Sequence, residues 1–148
     1  MMYGKQRIYS IFVLSTLAVL LTSCGGVAQM DYANPALEQG EMQVLQAQQM
    51  HWRKVEVTIQ APVLKMLPDD TEGLTHERFL LKLSNGSTIL VAHDTGMAPR
   101  VPLQAGDIVR IHGEYIWNER GGVIHWTHHT DTPRHEGGWI FFNGQVYQ

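Results

Sequence analysis

The densest run of chemically capable side chains is His125-Trp126-Thr127-His128-His129-Thr130-Asp131, with His135 four residues on. Imidazole and carboxylate groups are good ligands for zinc and similar borderline metals. An extended strand restrains that chemistry because its side chains alternate. His125 and His129 would share one face, while His128 joins Ile124 and Trp126 on the other. At roughly 3.3 Å per residue, His125 and His129 would stand about 13 Å apart, too far to share one ion. A metal centre therefore needs a turn near Thr127, or a neighbouring strand that sets His93 beside His125. The candidate ligands are His93, His125, His128 and His135, and a divalent metal such as zinc is the candidate cofactor. The plainer expectation is that these histidines hydrogen-bond within one polar end of the fold.

A second constellation lies upstream. Asp69-Asp70 and His76 are expected in a loop after the first strand, and His93-Asp94 at the end of the third. If those ends meet, three carboxylates and two imidazoles converge with Arg100 nearby, which is the chemistry of a metal-assisted hydrolase. Asp69, Asp70, His76, Asp94 and Arg100 are thus the catalytic candidates. Against that stands the reading of Asp69-Asp70 as a solvated turn. Aromatic side chains offer a third possibility, since they can stack on a flat ligand. Trp126 is expected in the core, whereas Trp117 at a turn edge, His93 and Trp139 are the candidate ligand-binding residues. No Ser-His-Asp arrangement, phosphate loop or dinucleotide fingerprint is present.

The elements that must position these groups follow from periodicity. Asn34-Pro35 offers an N-cap and a first-turn proline for a short helix from Ala36 to about Met50, with Leu37, Val44 and Leu45 at helical spacing. From His51 onward the period is two. Val55, Val57 and Ile59 alternate with Glu56, Thr58 and Gln60, as on a strand with one buried face. Phe79 to Leu83 and Thr88 to Ala92 flank Asn85-Gly86, a hairpin signal in which both residues are expected at positive φ. Asp107 to Trp117 and Val123 to about His129 are further strands. Trp139 to Phe142 and Gln145 to Gln148 flank Asn143-Gly144, a second hairpin signal. This order predicts a mainly β protein: a small five-stranded OB-like Greek-key barrel with a short N-terminal helix and a C-terminal β-hairpin. Another small barrel or sandwich is the main rival.

Length and charge bound the function. Lys5 and Arg7 precede an almost uncharged run from Ile8 to Leu21, closed by Leu21-Thr22-Ser23-Cys24. That is a secretion signal over residues 1 to 23, and its apolar run of about fourteen residues is short of the roughly 20 a spanning helix needs. The 125 residues that remain of 148 suit one core, with 24 to 50 as tether and helix and 51 to 148 as the β domain. Nine of eleven basic residues remain against fourteen acids, a balance of −5 with histidine neutral. This argues against a nucleic-acid binder. Eight histidines in so small a chain are the compositional feature that points to chemistry.

The segment around Cys24 resembles the lipoprotein signals, whose lipobox cysteine is diacylated and becomes the first mature residue. The resemblance implies lipidation of Cys24, and with it accounts for the lone cysteine of an exported chain. Two or more acyl chains give stable anchoring, and Gly25-Gly26 lacks the Asp that often retains such proteins in the inner membrane. The expected place is the bacterial cell envelope, as an outer-membrane lipoprotein facing the periplasm, with the membrane as partner. Farther on, Leu67-Pro68-Asp69-Asp70, His76 with Phe79, Ala92-His93-Asp94, Ala98-Pro99-Arg100, Gly106-Asp107, Gly113-Glu114-Tyr115, His125-Trp126-Thr127-His128 and Gly138-Trp139-Ile140 resemble an uncharacterised bacterial family of small exported proteins, domain of unknown function 3465. The resemblance runs from about Val55 to Gln148 and implies no activity, substrate or cofactor. Two functions compete: a lipid-anchored periplasmic ligand-binding module, and a metal-dependent hydrolase of phosphodiesters using Asp69, Asp70, Asp94 and His125.

Overall fold

The computed structural model describes residues 34–148. The signal segment, Cys24 and the tether lie outside the described residues. The first element, α1 (Pro35–Met50), begins as the sequence requires: the Asn34 side chain accepts from the Ala36 N–H at 3.1 Å, and Pro35 occupies the first turn. It ends at His51, which adopts the left-handed conformation at φ 54°. Leu37, Gly40, Val44 and Ala47 form its buried stripe. Leu45 is only partly buried. Gly40 lets the helix sit almost on the backbone of the first strand, where a Cβ would collide with the Thr58 carbonyl.

Seven strands follow in one sheet: β1 (Val55–Asp70), β2 (His76–Lys82), β3 (Thr88–Asp94), β4 (Ile108–Ile116), β5 (Val123–His125), β6 (Trp139–Phe142) and β7 (Gln145–Tyr147). Their order is β1-β2-β3-β5-β4-β6-β7, and β1 pairs with β4 as well, so five strands close a ring. The closure depends on β1 being long. Its first half pairs with β4, Val55 opposite Tyr115 through Pro62 opposite Ile108. Its second half pairs with β2, with register shifts between Val63 and Lys65 and between Leu67 and Asp70. Such irregularities bend a strand and raise its twist, which lets one strand serve two neighbours. The third and fifth strands pair in parallel, with Leu90 opposite Val123 and Val91 opposite Ile124. Where β5 ends, β6 takes over the same edge of β4, pairing Ile111 with Ile140.

Alternation decides what the ring encloses. Val57, Ile59, Phe79, Leu81, Ile89, Val91, Val109, Ile111, Ile124 and Ile140 are all buried, and Val44 and Ala47 of α1 pack with the same core. Tyr115 is fully buried and donates its hydroxyl to the Gly121 carbonyl at 3.2 Å. The opposite phase of β1 and β4 faces outward: Glu56, Thr58 and Gln60 on one strand, Arg110 and His112 on the other.

Three local expectations need correction. Asp69 and Asp70 are the last residues of β1 and His76 the first of β2, so none of them lies in a loop. The strand at 123 stops at His125, because Trp126 turns to φ 54° and ends the extended geometry. The expected alternation through His129 ends with it. Asn85 does not share the positive φ of Gly86; its side chain instead accepts from the Ser87 N–H at 2.9 Å. At the second hairpin Asn143 and Gly144 are both positive, at φ 48° and 79°, as a type I′ turn demands.

Candidate functional site

The ends of β1, β2 and β3 do approach one another, since the register sets His76 opposite Asp70 on one side and Asp94 on the other. The carboxylates there are occupied locally. Asp70 accepts from the Glu72 N–H at 3.1 Å, and Asp94 from the Gly96 N–H at 2.8 Å. Asp69 is ion-paired with Arg100, whose other arm reaches Glu77 at 3.3 Å. Glu77 was not singled out from sequence, yet it is 1 % exposed and accepts from the Val101 N–H at 2.9 Å. Burial raises its pKa, against the Val101 N–H and the Arg100 charge, which lower it. Its phase was the available signal: Glu77, Phe79 and Leu81 all point to the core. Asp69, Glu77 and Arg100 thus pin the segment after β3 to the sheet.

His93 is fully buried. Its Nε2–H donates to the Pro99 carbonyl at 3.1 Å, and in the neutral ring Nδ1 accepts from the Thr127 hydroxyl at 2.8 Å. Burial lowers its pKa, with the Pro99 carbonyl opposing. Both ring nitrogens therefore have protein partners, which ties β3 to the chain after β5.

The other histidines gather around Trp126. Contrary to its expected core position, Trp126 is 37 % exposed, a consequence of the turn that ends β5. His135 stacks on it at 4.2 Å between centroids, His125 lies at 4.9 Å, and His128 meets it edge-on at 5.8 Å. His128 is nearly buried, and its Nδ1–H donates to the His129 carbonyl at 2.7 Å. The Nδ1–H of His135 donates to the Glu136 carbonyl at 2.8 Å. His125 donates through Nε2–H to Glu114 at 3.2 Å. Burial holds the pKa of His125 down, although the hydrogen bond to Glu114 and its charge oppose that shift. Burial pushes Glu114 the other way, but hydrogen bonds from Lys54, at 2.9 Å, and from His125 outweigh it and hold the carboxyl low.

The three ligand-binding candidates are separated. His93 is internal, and Trp117 stacks on His51 at 4.2 Å beside a groove at the end of α1. Trp139 lies on the outward face of β4 and β6, stacked on His112 at 5.9 Å. There it lines an open groove with Arg110, Phe141, Val146 and Gln148. The Arg110 guanidinium lies 5.8 Å from the Phe141 ring and donates to Gln60 at 3.3 Å.

This outward face holds what the sequence reading did not single out. Among the described residues, one group of three or more His, Cys, Asp or Glu brings its ligand atoms within 4.8 Å of one another: Glu56, His112 and Glu136. None of His93, His125, His128 and His135 belongs to it. Glu56 and His112 are diagonal neighbours across β1 and β4, since Thr58 stands opposite His112 and Glu56 opposite Glu114. Burial raises the pKa of Glu56, and the negative charges of Glu114 and Glu136 raise it further. Two buried side-chain atoms among the described residues have no hydrogen-bond partner, Glu56 Oε2 and Arg110 Nε. Both stand on this face, where an orphaned buried polar atom calls for an explanation. The available sequence signal was the polar phase of two strands that had to pair.

Over the described residues the molecule is a mainly β protein, with one short helix and a closed ring of five strands that carries a polar and aromatic outer face. Over residues 27–148 the chain matches the family described as Protein of unknown function (DUF3465), and it belongs to that family. No curated protein and no solved structure matches it.

Proposed function

We propose that this protein is a lipid-anchored, periplasm-facing module with an OB-like ring, whose outer face binds a small organic anion. The groove of Arg110, Trp139, Phe141, Val146 and Gln148 is the binding surface. One observation carries the reading: Arg110 Nε is a buried donor without a partner, in a groove that Trp139, Phe141 and Val146 wall with aromatic and apolar surface beside Gln148. A carboxylate or phosphate on a ligand laid against Trp139 would complete it, and charge-assisted bonds of this kind are about twice as strong as neutral ones. The hydrolase reading is the weaker because Asp69, Asp70 and Asp94 are engaged in ion pairs and turns. The anchor rests on Leu21-Thr22-Ser23-Cys24.

Ligand-observed NMR on the detergent-purified protein, screened with small aryl and sugar carboxylates and phosphates, tests the groove. Hits are expected that weaken at least tenfold, about 1.4 kcal/mol, in Arg110→Met and in Trp139→Ala. Hits indifferent to both substitutions would sink the assignment. For the anchor, Cys24→Ser is expected to abolish incorporation of labelled palmitate; label still entering that variant would remove the lipoprotein reading.

A further inference from the structure

We propose that Glu56, His112 and Glu136 form a binding site for one divalent transition-metal cation of the zinc class. The site is separate from the groove, and it uses none of the histidines of the 125–135 segment.

Geometry supports it first. His112 Nε2 and Glu136 Oε1 stand 3.3 Å apart. Two ligands on a tetrahedral ion, each about 2 Å from the metal, are separated by roughly that distance. Glu56 lies within 4.8 Å of both, on the same face of the sheet. The β1–β4 register fixes Glu56 and His112 on rigid strands, while the Glu136 side chain is 62 % exposed and free to close on an ion.

The shell around the ligands supports it next. His112 Nδ1 exchanges a hydrogen bond with the Thr58 hydroxyl at 2.8 Å. A hydroxyl can accept the Nδ1–H, which directs the Nε2 lone pair outward; metal-bound histidines are commonly oriented by such a bond. Trp139, stacked on the same ring, restricts its rotation.

The orphaned atom is the independent observation. Glu56 Oε2 is removed from solvent and accepts no hydrogen bond. Lys54, just before β1, is engaged by Glu114 at 2.9 Å, and Arg110 by Gln60 at 3.3 Å. A cation between Glu56 and Glu136 would give the Glu56 carboxylate a partner and balance two carboxylates whose ligand atoms lie within 4.8 Å of each other. An imidazole in the set favours zinc-like ions over calcium or magnesium, which prefer oxygen ligands.

The test uses the full-length protein purified in detergent without a histidine tag, stripped with chelator and titrated with Zn²⁺ by calorimetry. One equivalent is expected to bind with Kd on the order of 10 μM or tighter, about −7 kcal/mol. Glu56→Gln, His112→Gln and Glu136→Gln are each expected to weaken binding at least tenfold, while His129→Gln leaves it unchanged. Glu136 is exposed, so its variant keeps the fold and the test remains decisive even if a strand variant does not. No saturable Zn²⁺ binding below 1 mM, or affinity untouched by Glu56→Gln and Glu136→Gln, would overturn the site. Equal affinity for Mg²⁺ would overturn the role of His112.

Discussion

Gly138→Ala is expected to destabilise the fold by about 3 kcal/mol, the upper end of what overpacking a tight interior costs. Gly138 is buried at the entry to β6, where its N–H donates to the His128 carbonyl at 2.8 Å. A Cβ there would strike the Trp126 carbonyl, the His112 carbonyl at 2.6 Å and the Thr127 Cα at 2.9 Å. All three are backbone atoms held by β4 and by the chain after β5, so no rotamer change relieves the clash. The comparison is Gly86→Ala. Gly86 has φ +85° with nothing within 4 Å of a Cβ, so that substitution meets conformational strain alone, on the order of 1 kcal/mol. Urea denaturation of both variants separates the two effects. A Gly138→Ala midpoint no lower than that of Gly86→Ala would show that β6 does not dock this closely. Because Glu136 and Trp139 flank this glycine, the variant should also lose the Zn²⁺ and groove binding of the outer face.

Much of the fold was legible in period-two patterning and turn chemistry. Asn34-Pro35 set the helix start, Val57 and Ile59 the buried phase of β1, and Asn143-Gly144 the last turn. The length of β1 was harder to read. Past Val63 its residues Leu64 and Lys65 are both exposed and Pro68 interrupts the pattern, because register shifts rotate the strand as it changes partner. A stretch without clean alternation reads as a loop, and Asp69 and Asp70 were assigned accordingly.

The candidate site was legible only in part, for a related reason. Local clustering drew attention to 125–131, but adjacent residues of a strand point to opposite faces, and the turn at Trp126 cannot be read from residue types alone. Glu56, His112 and Glu136 lie 56 and 24 residues apart in sequence. Only the β1–β4 register and the return of the chain into β6 bring them together. Of the groove's residues, Trp139 stands out in sequence as an aromatic next to a hairpin, whereas Arg110 does not, because a charge on an outward strand phase ordinarily means a solvated face.

His93 is expected to make the protein acid-sensitive in the range below pH 6.5. Its ring is fully buried, between the Thr127 hydroxyl and the Pro99 carbonyl, and burial holds its folded pKa below the 6.5 of the unfolded chain. Below pH 6.5 the unfolded chain therefore takes up a proton that the folded ring resists. Stability is full above 6.5 and falls with pH until the folded pKa is reached, by up to about 1.4 kcal/mol per pH unit for one such group. His125, also held low by burial, acts in the same direction with a smaller weight because its side chain is 27 % exposed. Glu77 acts in the opposite sense: its raised folded pKa gives stability that is complete below 4.5 and is lost as pH rises through the folded value. His93→Gln is expected to cost on the order of 2 kcal/mol at pH 7.5, by leaving buried hydrogen-bonding groups unmatched. It should also flatten the stability curve below 6.5, so that the gap between variant and wild type narrows on acidification. Urea unfolding at half-unit pH steps reads both quantities. A variant curve running parallel to the wild type would mean that His93 accepts its proton in place, and that the Pro99 and Thr127 contacts do not hold the ring neutral.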